Sequence, residues 1–395
     1  MKVTKQEKIH RVLSHNVEGV IERAHLEQAL NGGRRLRIKL GIDPTGSKIH
    51  IGRAVVLWKL REFQDLGHKA VLIVGDMTAQ IGDPSDKLQK RPFLTAQEVK
   101  RNLKNYLAQM GKIVDLKKTE IHYNSKWLAK LNFREVTELA ELFTFQQILE
   151  RRNFKERFEH QQDISYREGM YALMQGYDSV AVRADVELGG TDQLFNLLAG
   201  RKIQQAYGQK PQDVMVTKML SGTDGRKMST SWGNVINITD EPDEQFGRIM
   251  AMRDEMMKEY FELAADLSER EIASYMRRAK ESPKSAKENL ALEIVKRYHG
   301  AREAKKAQER FEKMFSRKEI PDDVPELKLA GKKLSSAEAV LASGVVKSKS
   351  EAWRLVAQGG FSVNGVAHKD PKAEIVLKKG DVLKIGKRHF FRINK

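Results

Sequence analysis

The alternation of apolar and polar positions from residue 36 onwards predicts a strand, a turn and a helix in succession. A period of two is typical of a strand with one apolar face, and that face carries Leu36, Ile38, Leu40 and Ile42. The opposite face carries Arg37, Lys39 and Gly41. Residues 43–47 contain a proline and a glycine, which favour a turn. From Ile51 the apolar residues recur at helical spacing as far as Leu66, and Gly67 is a usual helix stop.

The junction between this strand and this helix is a candidate phosphate site. Helix N-termini present unpaired N–H groups to anions, and ligands of open α/β sheets lie at such junctions. His50 and Arg53 lie three positions apart at the start of the helix, and Gly52 leaves room for a nucleotide. Neither a G-x-G-x-x-G fingerprint nor a P-loop is present. From this stretch alone, it is an equal alternative that His50 and Arg53 are ordinary surface residues with no ligand.

Further patterns predict the other elements of an α/β domain. They are an amphipathic helix over residues 5–30, a buried parallel strand over 69–76, a capped helix over 95–110, a strand over 181–188, a helix over 194–206 and a strand over 214–220. Residues 127–159 are helical and interrupt the alternation, so we interpret them as an insertion between two halves of a sheet. The apolar side chains of this insertion either pack within the chain or bury themselves against a second copy of it.

One predicted helix carries polar groups where a packing helix would carry leucines. Tyr171, Gln175 and Asp178 stand at i, i+4 and i+7, so they share one face. Their oxygen atoms and apolar flanks suggest a pocket for a small zwitterion with an ammonium group. Alternatively, Tyr171 and Gln175 cap neighbouring backbone groups.

Two further polar segments could complete a nucleotide site. Residues 189–193 read Gly-Gly-Thr-Asp-Gln, a second strand-turn-helix junction with a carboxylate suited to ribose hydroxyls. Residues 221–231 are short, polar, basic and contain two glycines. They predict a mobile loop that folds over phosphates.

The rest of the chain predicts two more domains. Residues 239–316 are charged, methionine-rich and helical, and residues 321–325 predict a linker. The last segment predicts helices over 335–343 and 350–358 and a hairpin over 361–365 with an Asn-Gly turn.

Composition narrows the class of protein. The chain has 395 residues, enough for two or three domains. It has no cysteine, which excludes disulfides, thiolate metal sites and a cysteine nucleophile. No apolar run approaches the roughly 20 residues that cross a bilayer, and the first residues lack the apolar core of a secretion signal. We therefore expect a cytoplasmic protein that does not enter a membrane.

The net charge of +18 predicts a polyanionic partner, most often nucleic acid. Residues 326–395 hold 15 Lys and Arg against 6 Asp and Glu, so they carry half of this excess. We interpret this segment as an RNA-binding appendage. The alternatives are a charged dimerisation tail and a basic surface with no specific partner.

Taken together, these stretches resemble the bacterial tyrosyl-tRNA synthetases, a family of class I aminoacyl-tRNA synthetases. The HIGH region of that family is matched by GIDPTGSKIHIGR, the loop after it by IGDPS, and the KMSKS loop by GRKMSTSWGN. Its insertion is matched by NSKWLAKLNFREV and FTFQQILERRNF, and its amino-acid and ribose site by YALMQGYDSVAVRADVELGGTDQLFNLLAGR. The C-terminal segment is similar to a small RNA-binding fold, so the resemblance covers essentially the whole chain.

The resemblance implies an ATP-dependent tyrosine–tRNA ligase, which forms tyrosyl-adenylate and then transfers the tyrosyl group to the 3′ end of tRNA-Tyr. The residues acting on the phosphates would be His50, Arg53, Lys227 and Thr230. Those binding ATP and the adenylate would be Asp43, Thr45, Gly52, Gly190, Asp192, Gln193, Met228 and Ser229. Those binding tyrosine would be Thr78, Asp83, Tyr171, Gln175 and Asp178. Among these, Asp178 would accept the phenolic proton, and Tyr171, Gln175 and Asp83 would bind the amino group.

The same resemblance implies the architecture and the partners. Residues 1–235 would form a Rossmann-like catalytic domain with a parallel sheet and a helical insertion around 120–165. An α-helical anticodon-binding domain over 236–318, a linker over 319–331 and a small α+β RNA-binding domain over 332–395 would follow. Mg²⁺ would accompany ATP as substrate, with no resident metal site and no permanent cofactor. The chain would form a homodimer and bind tRNA-Tyr.

Three positions depart from the family pattern. Arg53 stands where the family usually has a second histidine, and Thr230 where it has a second lysine. We hypothesise that Arg53 supplies the charge that Thr230 lacks, although Arg226 could also do so. Lys39 stands where some members have a tyrosine that touches the substrate phenol, so specificity would depend more on Asp178.

Two other readings stay open. A tryptophanyl-type enzyme could use the same acid for an indole N–H. A synthetase relic that binds RNA without charging it would keep HIGR and KMSTS, but it would have no use for a complete amino-acid pocket. An amino-acid activation panel separates all three.

Overall fold

The computed structural model describes residues 4–85, 93–315, 324–329, 333–386 and 389–394. Its strands are β1 (Val17–Ile21), β2 (Arg37–Ile42), β3 (Lys69–Val74), β4 (Glu120–Tyr123), β5 (Val186–Gly190), β6 (Asp213–Thr217), β7 (Glu326–Lys328), β8 (Lys333–Ser335), β9 (Phe361–Val363), β10 (Val366–Ala367), β11 (Glu374–Val376), β12 (Val382–Ile385) and β13 (His389–Asn394).

The helices of the first 210 residues are α1 (Lys5–Ser14), α2 (Arg23–Asn31), α3 (Ile51–Asp65), α4 (Thr78–Ile81), α5 (Ala96–Leu103), α6 (Tyr106–Met110), α7 (Ser125–Leu128), α8 (Phe133–Glu141), α9 (Phe145–Leu149), α10 (Arg152–Glu159), α11 (Tyr166–Val182) and α12 (Leu194–Ala206). Those that follow are α13 (Pro242–Ala251), α14 (Met257–Leu263), α15 (Glu269–Glu281), α16 (Pro283–His299), α17 (Ala301–Phe315), α18 (Ser336–Ala342) and α19 (Lys349–Ala357). No helix of the described residues is long and apolar enough to span a bilayer.

Contacts between Cα atoms divide the chain into two units, residues 1–241 with 251–298 and residues 242–250 with 299–395. The domain boundaries expected at residues 235, 318 and 331 stay a prediction. Of the expected linker over residues 319–331, residues 319–323 and 330–331 lie outside the described residues, and Glu326–Lys328 form strand β7.

The first unit is built on a six-stranded sheet with the strand order β1-β6-β5-β2-β3-β4. Strands β6, β5, β2, β3 and β4 run parallel, and β1 pairs with β6 antiparallel. The chain leaves β2 towards β3 on one side and leaves β5 towards β6 on the other, so the point between β2 and β5 is a topological switch point. Such a point opens a crevice at the carboxyl ends of the strands. The predicted α/β class with a parallel sheet is confirmed.

Both faces of the sheet are covered, which corrects the prediction of a polar face on β2. Ile38 and Leu40 are buried as expected, but Lys39 on the opposite face is also fully buried. A parallel sheet is usually covered by helices on both sides. The lysine is accommodated because Glu187 on the neighbouring strand β5 pairs with it.

The prediction of one helix over residues 5–30 was wrong. The chain forms α1, then strand β1, then α2. Asn16 and Glu22 adopt positive φ angles of 57° and 61° on either side of β1, which ends the helical path. The stretch 17–21 pairs with β6, and this long-range pairing is not visible in a local period.

Two other boundaries differ from the predictions. Helix α11 continues to Val182 and ends at Arg183 with φ of 49°, so only the last three residues of the predicted strand 181–188 belong to β5. The helix predicted over 95–110 is divided into α5 and α6, although Thr95 and Glu98 do form the expected capping box.

The remaining predicted elements agree closely with the structure. The strand-turn-helix from residue 36 is β2 and α3, and the helix over 194–206 is α12. The insertion consists of α7, α8, α9 and α10 between β4 and α11, and its helices interrupt the alternation as expected. Residues 239–316 are helical in α13 to α17, as far as they are described.

The second unit ends in the small α+β segment that the sequence predicts. Strands β10, β9, β12, β13 and β7 form a five-stranded sheet. Helices α18 and α19 lie at the predicted positions, and Val340, Val356 and Leu383 share one apolar core. The hairpin of β9 and β10 turns at Asn364-Gly365, where both φ angles are positive, as a two-residue Asn-Gly turn requires.

Candidate active site

A cavity of about 480 Å³ opens at the carboxyl ends of β2 and β5. Each of the seventeen predicted site residues lines it. They are Asp43, Thr45, His50, Gly52, Arg53, Thr78, Asp83, Tyr171, Gln175, Asp178, Gly190, Asp192, Gln193, Lys227, Met228, Ser229 and Thr230. The fold thus gathers side chains from five segments of the sequence into one crevice, while their individual roles stay predictions.

His50 is the N-cap of α3, and its position determines its chemical form. Its Nδ1 accepts the backbone N–H of Arg53 at 3.3 Å. Burial, together with the charge of Arg53, lowers the pKa of His50 to about 3. The ring is therefore neutral near pH 7, and its proton must lie on Nε2. His50 can donate one hydrogen bond from that nitrogen without carrying a charge.

Arg53 projects from the first turn of α3 into the same cavity. Its guanidinium donates to the Tyr106 hydroxyl at 3.0 Å and to the Thr45 hydroxyl at 3.1 Å. These two contacts hold a permanent positive charge one helical turn beyond His50. Arg226, the other residue expected to be able to supply charge, donates instead to Asp224 and stacks over Trp232.

Asp43, just beyond the end of β2, joins two parts of the site. Its Oδ1 accepts the Thr78 hydroxyl at 2.7 Å and its Oδ2 accepts the Tyr171 hydroxyl at 2.9 Å. Burial and the neighbouring carboxylate Asp43 raise the pKa of Tyr171 well above its ordinary value, so the phenol stays a donor. Gly75 leaves the space that the Asp43 and Thr78 side chains occupy, since a Cβ at residue 75 would lie 1.9 Å from Asp43 Oδ1 and 2.3 Å from Thr78 Oγ1.

Asp178 is a carboxylate buried in the wall of the cavity, with 3% of its surface exposed. Its Oδ1 accepts the Trp127 indole N–H at 2.8 Å and its Oδ2 accepts an N–H of Asn124 at 3.3 Å. Burial raises the pKa of Asp178 to about 7, although Lys39 acts in the opposite direction. The carboxylate can accept a further hydrogen bond from a polar group that enters the cavity.

A third carboxylate of the cavity, Asp83, belongs to the loop after α4. Asp83 Oδ2 accepts the Gln193 side-chain amide at 2.6 Å, which links this loop to the turn after β5. Gly190 lets the backbone of that turn approach the Asp192 side chain, since a Cβ at residue 190 would lie 2.9 Å from Asp192 Oδ1.

The basic loop 221–231 lies against both junctions. Lys227 Nζ is 3.1 Å from Asp192 Oδ2, and Met228 Sδ would lie 3.0 Å from a Cβ at Gly52. Buried Asn234 fixes the loop through its side-chain amide. The NH₂ group donates to Asp224 and to the backbone carbonyl of Lys227, and the amide oxygen accepts the backbone N–H of Ser229. Thr230 begins a short 3₁₀ turn at the end of the loop.

Sequence reasoning missed four residues that shape this cavity. They are Gly75, Tyr106, Asn124 and Trp127. For Asn124 a signal was available, because polar residues directly after a parallel strand lie at its carboxyl end, where ligands bind. Tyr106 and Trp127 lie on helices and carry no local signal of this kind.

The arrangement suits a reaction on a nucleotide phosphate. It offers a neutral donor at His50, cations at Arg53 and Lys227, and a carboxylate suited to ribose at Asp192. A separate group of polar side chains on α11 faces the same space. Among the described residues no group of three or more His, Asp or Glu side chains could hold a metal ion.

Comparisons with known proteins agree with this chemistry. The family model described as tRNA synthetases class I (W and Y) matches residues 31–316. A tyrosine–tRNA ligase of Thermotoga maritima is 46% identical, with 99% of this chain and 98% of that protein covered. A tyrosine–tRNA ligase of Aquifex aeolicus is 44% identical, with 97% of each chain covered.

Solved structures show a similar fold at low sequence identity. The tyrosyl-tRNA synthetase of Archaeoglobus fulgidus, determined with L-tyrosine, has a TM-score of 0.59 and 20% identity, covering 77% of this chain and all of that one. A truncated mitochondrial tyrosyl-tRNA synthetase of Coccidioides posadasii has a TM-score of 0.61 and 22% identity, covering 78% and 92%. From the family model and the two full-length relatives, the chain belongs to the class I tRNA synthetases of the W and Y family.

Proposed function

We infer that this chain is an ATP-dependent tyrosine–tRNA ligase. It activates tyrosine with ATP to tyrosyl-adenylate and pyrophosphate, and then transfers the tyrosyl group to the 3′ end of tRNA-Tyr. Two relatives that match this chain over almost their whole length are tyrosine–tRNA ligases.

The activation step needs no protein nucleophile. The substrate carboxylate attacks the α-phosphorus of ATP, a new O–P bond forms, and the bond to the bridging oxygen breaks as pyrophosphate leaves. Catalysis then consists of positioning and of stabilising the charge that spreads over the phosphates. We assign this stabilisation to His50 Nε2–H, Arg53 and Lys227, with Thr230 as a neutral hydroxyl beside them. Mg²⁺ enters with ATP as part of the substrate.

In the second step a ribose hydroxyl at the tRNA 3′ end attacks the carbonyl carbon of the adenylate, and AMP leaves. Asp192 is assigned to the ribose of the adenylate. Gly52 gives the nucleotide room against the backbone, and Thr45, Gly190, Gln193, Met228 and Ser229 border it.

The observation that carries the choice of tyrosine is the buried carboxylate of Asp178. A substrate phenol can donate to it, whereas phenylalanine would leave this buried carboxylate without that partner. Tyrosyl-tRNA synthetases are the known example of such discrimination, which reaches on the order of 10⁴–10⁵ without editing. Tyr171, Gln175 and Asp83 are assigned to the amino group, and Thr78 supports Asp43 beside them.

An ATP–pyrophosphate exchange assay with all twenty amino acids tests this assignment. We expect exchange with tyrosine and at least 10⁴-fold less with phenylalanine. Exchange with tryptophan instead would indicate the tryptophanyl-type enzyme. Exchange with no amino acid, combined with tRNA binding, would indicate an RNA-binding relic.

The tRNA partner is supported by the basic C-terminal segment, where residues 326–395 carry half of the net charge. Phosphate contacts release counterions, so tRNA affinity should fall steeply as salt is raised. A titration between 50 and about 200 mM salt tests this, and an affinity independent of salt would contradict the role of the segment.

Homodimerisation is supported by four exposed aromatic side chains in and around the insertion. They are Phe133, Phe145, Phe158 and Tyr166, with 84%, 61%, 66% and 69% of their surface exposed. The rings of Phe145 and Tyr166 are in contact, with centroids 5.5 Å apart, and contiguous apolar side chains exposed on a protein surface usually mark an interface. Sedimentation of the parent chain and of Phe133→Asp should show a dimer and a monomer, respectively.

A further inference from the structure

A buried ion pair lies directly behind the wall of the cavity. Lys39 on β2 and Glu187 on β5 both have no exposed surface, and Lys39 Nζ is 2.9 Å from Glu187 Oε1. Neither residue lines the cavity. Removing two charges from water is costly, and a buried pair often adds little stability over an apolar pair of similar size. The pair therefore calls for a role other than stability.

The ammonium group of Lys39 is fully used within this network. Besides Glu187, it donates to Ser179 Oγ at 2.7 Å and to the backbone carbonyl of Gln175 at 2.8 Å. Both acceptors belong to α11, the helix that carries the predicted substrate-binding face. Lys39 thus attaches the sheet to α11 at the turn that contains Gln175.

The carboxylate of Glu187 contacts Gln175 from the other side. Its Oε1 accepts the side-chain N–H of Gln175 at 3.1 Å, and its Oε2 accepts the Ser179 hydroxyl at 3.1 Å and an N–H of Gln212. A carboxylate can only accept, so it fixes which end of the Gln175 amide faces it. The NH₂ group must point to Glu187, and the carbonyl Oε1 must point the other way.

Gln175 itself lines the cavity. Because Glu187 holds its NH₂ group, the carbonyl oxygen is the end of the amide that remains for a substrate. An oxygen in that place accepts a hydrogen bond from an ammonium group. The reversed amide would present its two N–H donors to the same ammonium and repel it. The direction of a single amide therefore decides whether this wall attracts or rejects an amine.

We propose that Lys39 and Glu187 are positioning residues for the substrate amine, acting through Gln175 by fixing its backbone and the direction of its side-chain amide. The proposal rests on the proposed function, in which the substrate is an amino acid bound at this wall. It assigns no contact between the pair and the substrate.

The test compares the double variant Lys39→Met/Glu187→Met with the parent, by calorimetric binding of three compounds. Tyrosine and tyramine carry the amine, and 3-(4-hydroxyphenyl)propanoate lacks it. Each single variant would leave a buried charge unpaired and could fail to fold, whereas the double variant replaces both charges by apolar groups of similar size. A matched control is Lys59→Met/Glu62→Met, which removes a largely buried pair on α3 away from the cavity.

We expect the folded double variant to bind tyrosine and tyramine about 10- to 100-fold more weakly, because losing one hydrogen bond to a charged group weakens binding by about this factor. Its affinity for 3-(4-hydroxyphenyl)propanoate should stay within about threefold of the parent, since this compound has no amine to lose. The control should bind all three like the parent.

Equal losses for all three compounds would mean a merely structural role and would overturn the proposal, as would unchanged tyrosine and tyramine affinities. If the parent itself binds no tyrosine, the proposed function fails and the proposal with it. A double variant that does not fold under conditions where the control folds would also overturn it, because the pair would then serve stability.

Discussion

Lys227 Nζ lies 3.1 Å from Asp192 Oδ2, so an ion pair joins the basic loop 221–231 to the turn after β5. The pair connects the residue assigned to the phosphates with the residue assigned to the ribose. It is partly exposed, with 38% of the Lys227 side chain open to solvent. Exposed pairs contribute little to stability, so the lysine can exchange this carboxylate for a phosphate at small cost.

We predict that Lys227→Met slows tyrosine-dependent pyrophosphate exchange by about 10²- to 10³-fold, the usual effect of removing one group that stabilises transition-state charge. The KM for tyrosine should stay unchanged, because the lysine acts on the phosphates. The matched control is Lys202→Met, which removes an ammonium group that lies over the Phe143 ring outside the active-site cavity. A tyrosine KM that rises with the loss of rate would contradict the assignment.

Arg53 is predicted to supply the charge that Thr230 lacks. Its guanidinium is held in the cavity by Tyr106 and Thr45. Arg53→Ala and Arg53→His should each reduce pyrophosphate exchange by about tenfold or more, and a Thr230→Lys change should restore part of the loss. If both Arg53 variants match the parent while Arg226→Ala does not, the charge comes from Arg226 instead.

His50 should act without titrating in the physiological range. Its pKa is lowered to about 3, so the ring is neutral between pH 5 and 8. The rate of pyrophosphate exchange should therefore show no inflection from this group between pH 5 and 8, and His50→Asn should lower the rate by about 10²-fold or more at each pH. An inflection near pH 6.5 that disappears in His50→Asn would show a charged imidazole and contradict the prediction.

Asp178 should make stability depend on pH with a definite sign. Its pKa is raised from 3.8 to about 7 in the fold, so between these values the folded chain binds more protons than the unfolded chain. The free energy of unfolding then falls as the pH rises from about 4 to about 7. Each unit by which the pKa is shifted corresponds to about 1.4 kcal/mol of this free energy.

Unfolding in urea at a series of pH values measures this effect for the parent and for Asp178→Asn. The stability of Asp178→Asn relative to the parent should rise as the pH goes from 4 to 7. Asp65→Asn, which removes an exposed carboxylate on α3, is the control. A constant difference between Asp178→Asn and the parent would mean that the carboxyl titrates normally.

Local sequence patterns predicted the parts of this fold that depend on neighbouring residues. The turn after β2, the capping box at Thr95 and the face of α11 all follow from spacings of a few positions. The motifs at His50, Asp192 and Lys227 then located the cavity, because parallel strands bring their carboxyl ends to one edge.

What could not be predicted depends on contacts between distant residues. Strand β1 exists because it pairs with β6, and the same apolar residues would suit a helix. Lys39 is buried because Glu187 faces it on another strand. Trp127 reaches Asp178 from the insertion, although nothing near either residue indicates the contact.

Gly75 shows how a site can be sensitive at a position that has no side chain. The volume that a methyl group would need there is already taken by the oxygen atoms of Asp43 and Thr78. Scales that rank amino-acid exchanges by similarity would score glycine to alanine as mild, yet at this position it would dislodge the acid on which the neighbouring phenol depends. Natural variation or engineering at residue 75 should therefore be judged by the room around it and not by the chemistry of the exchange.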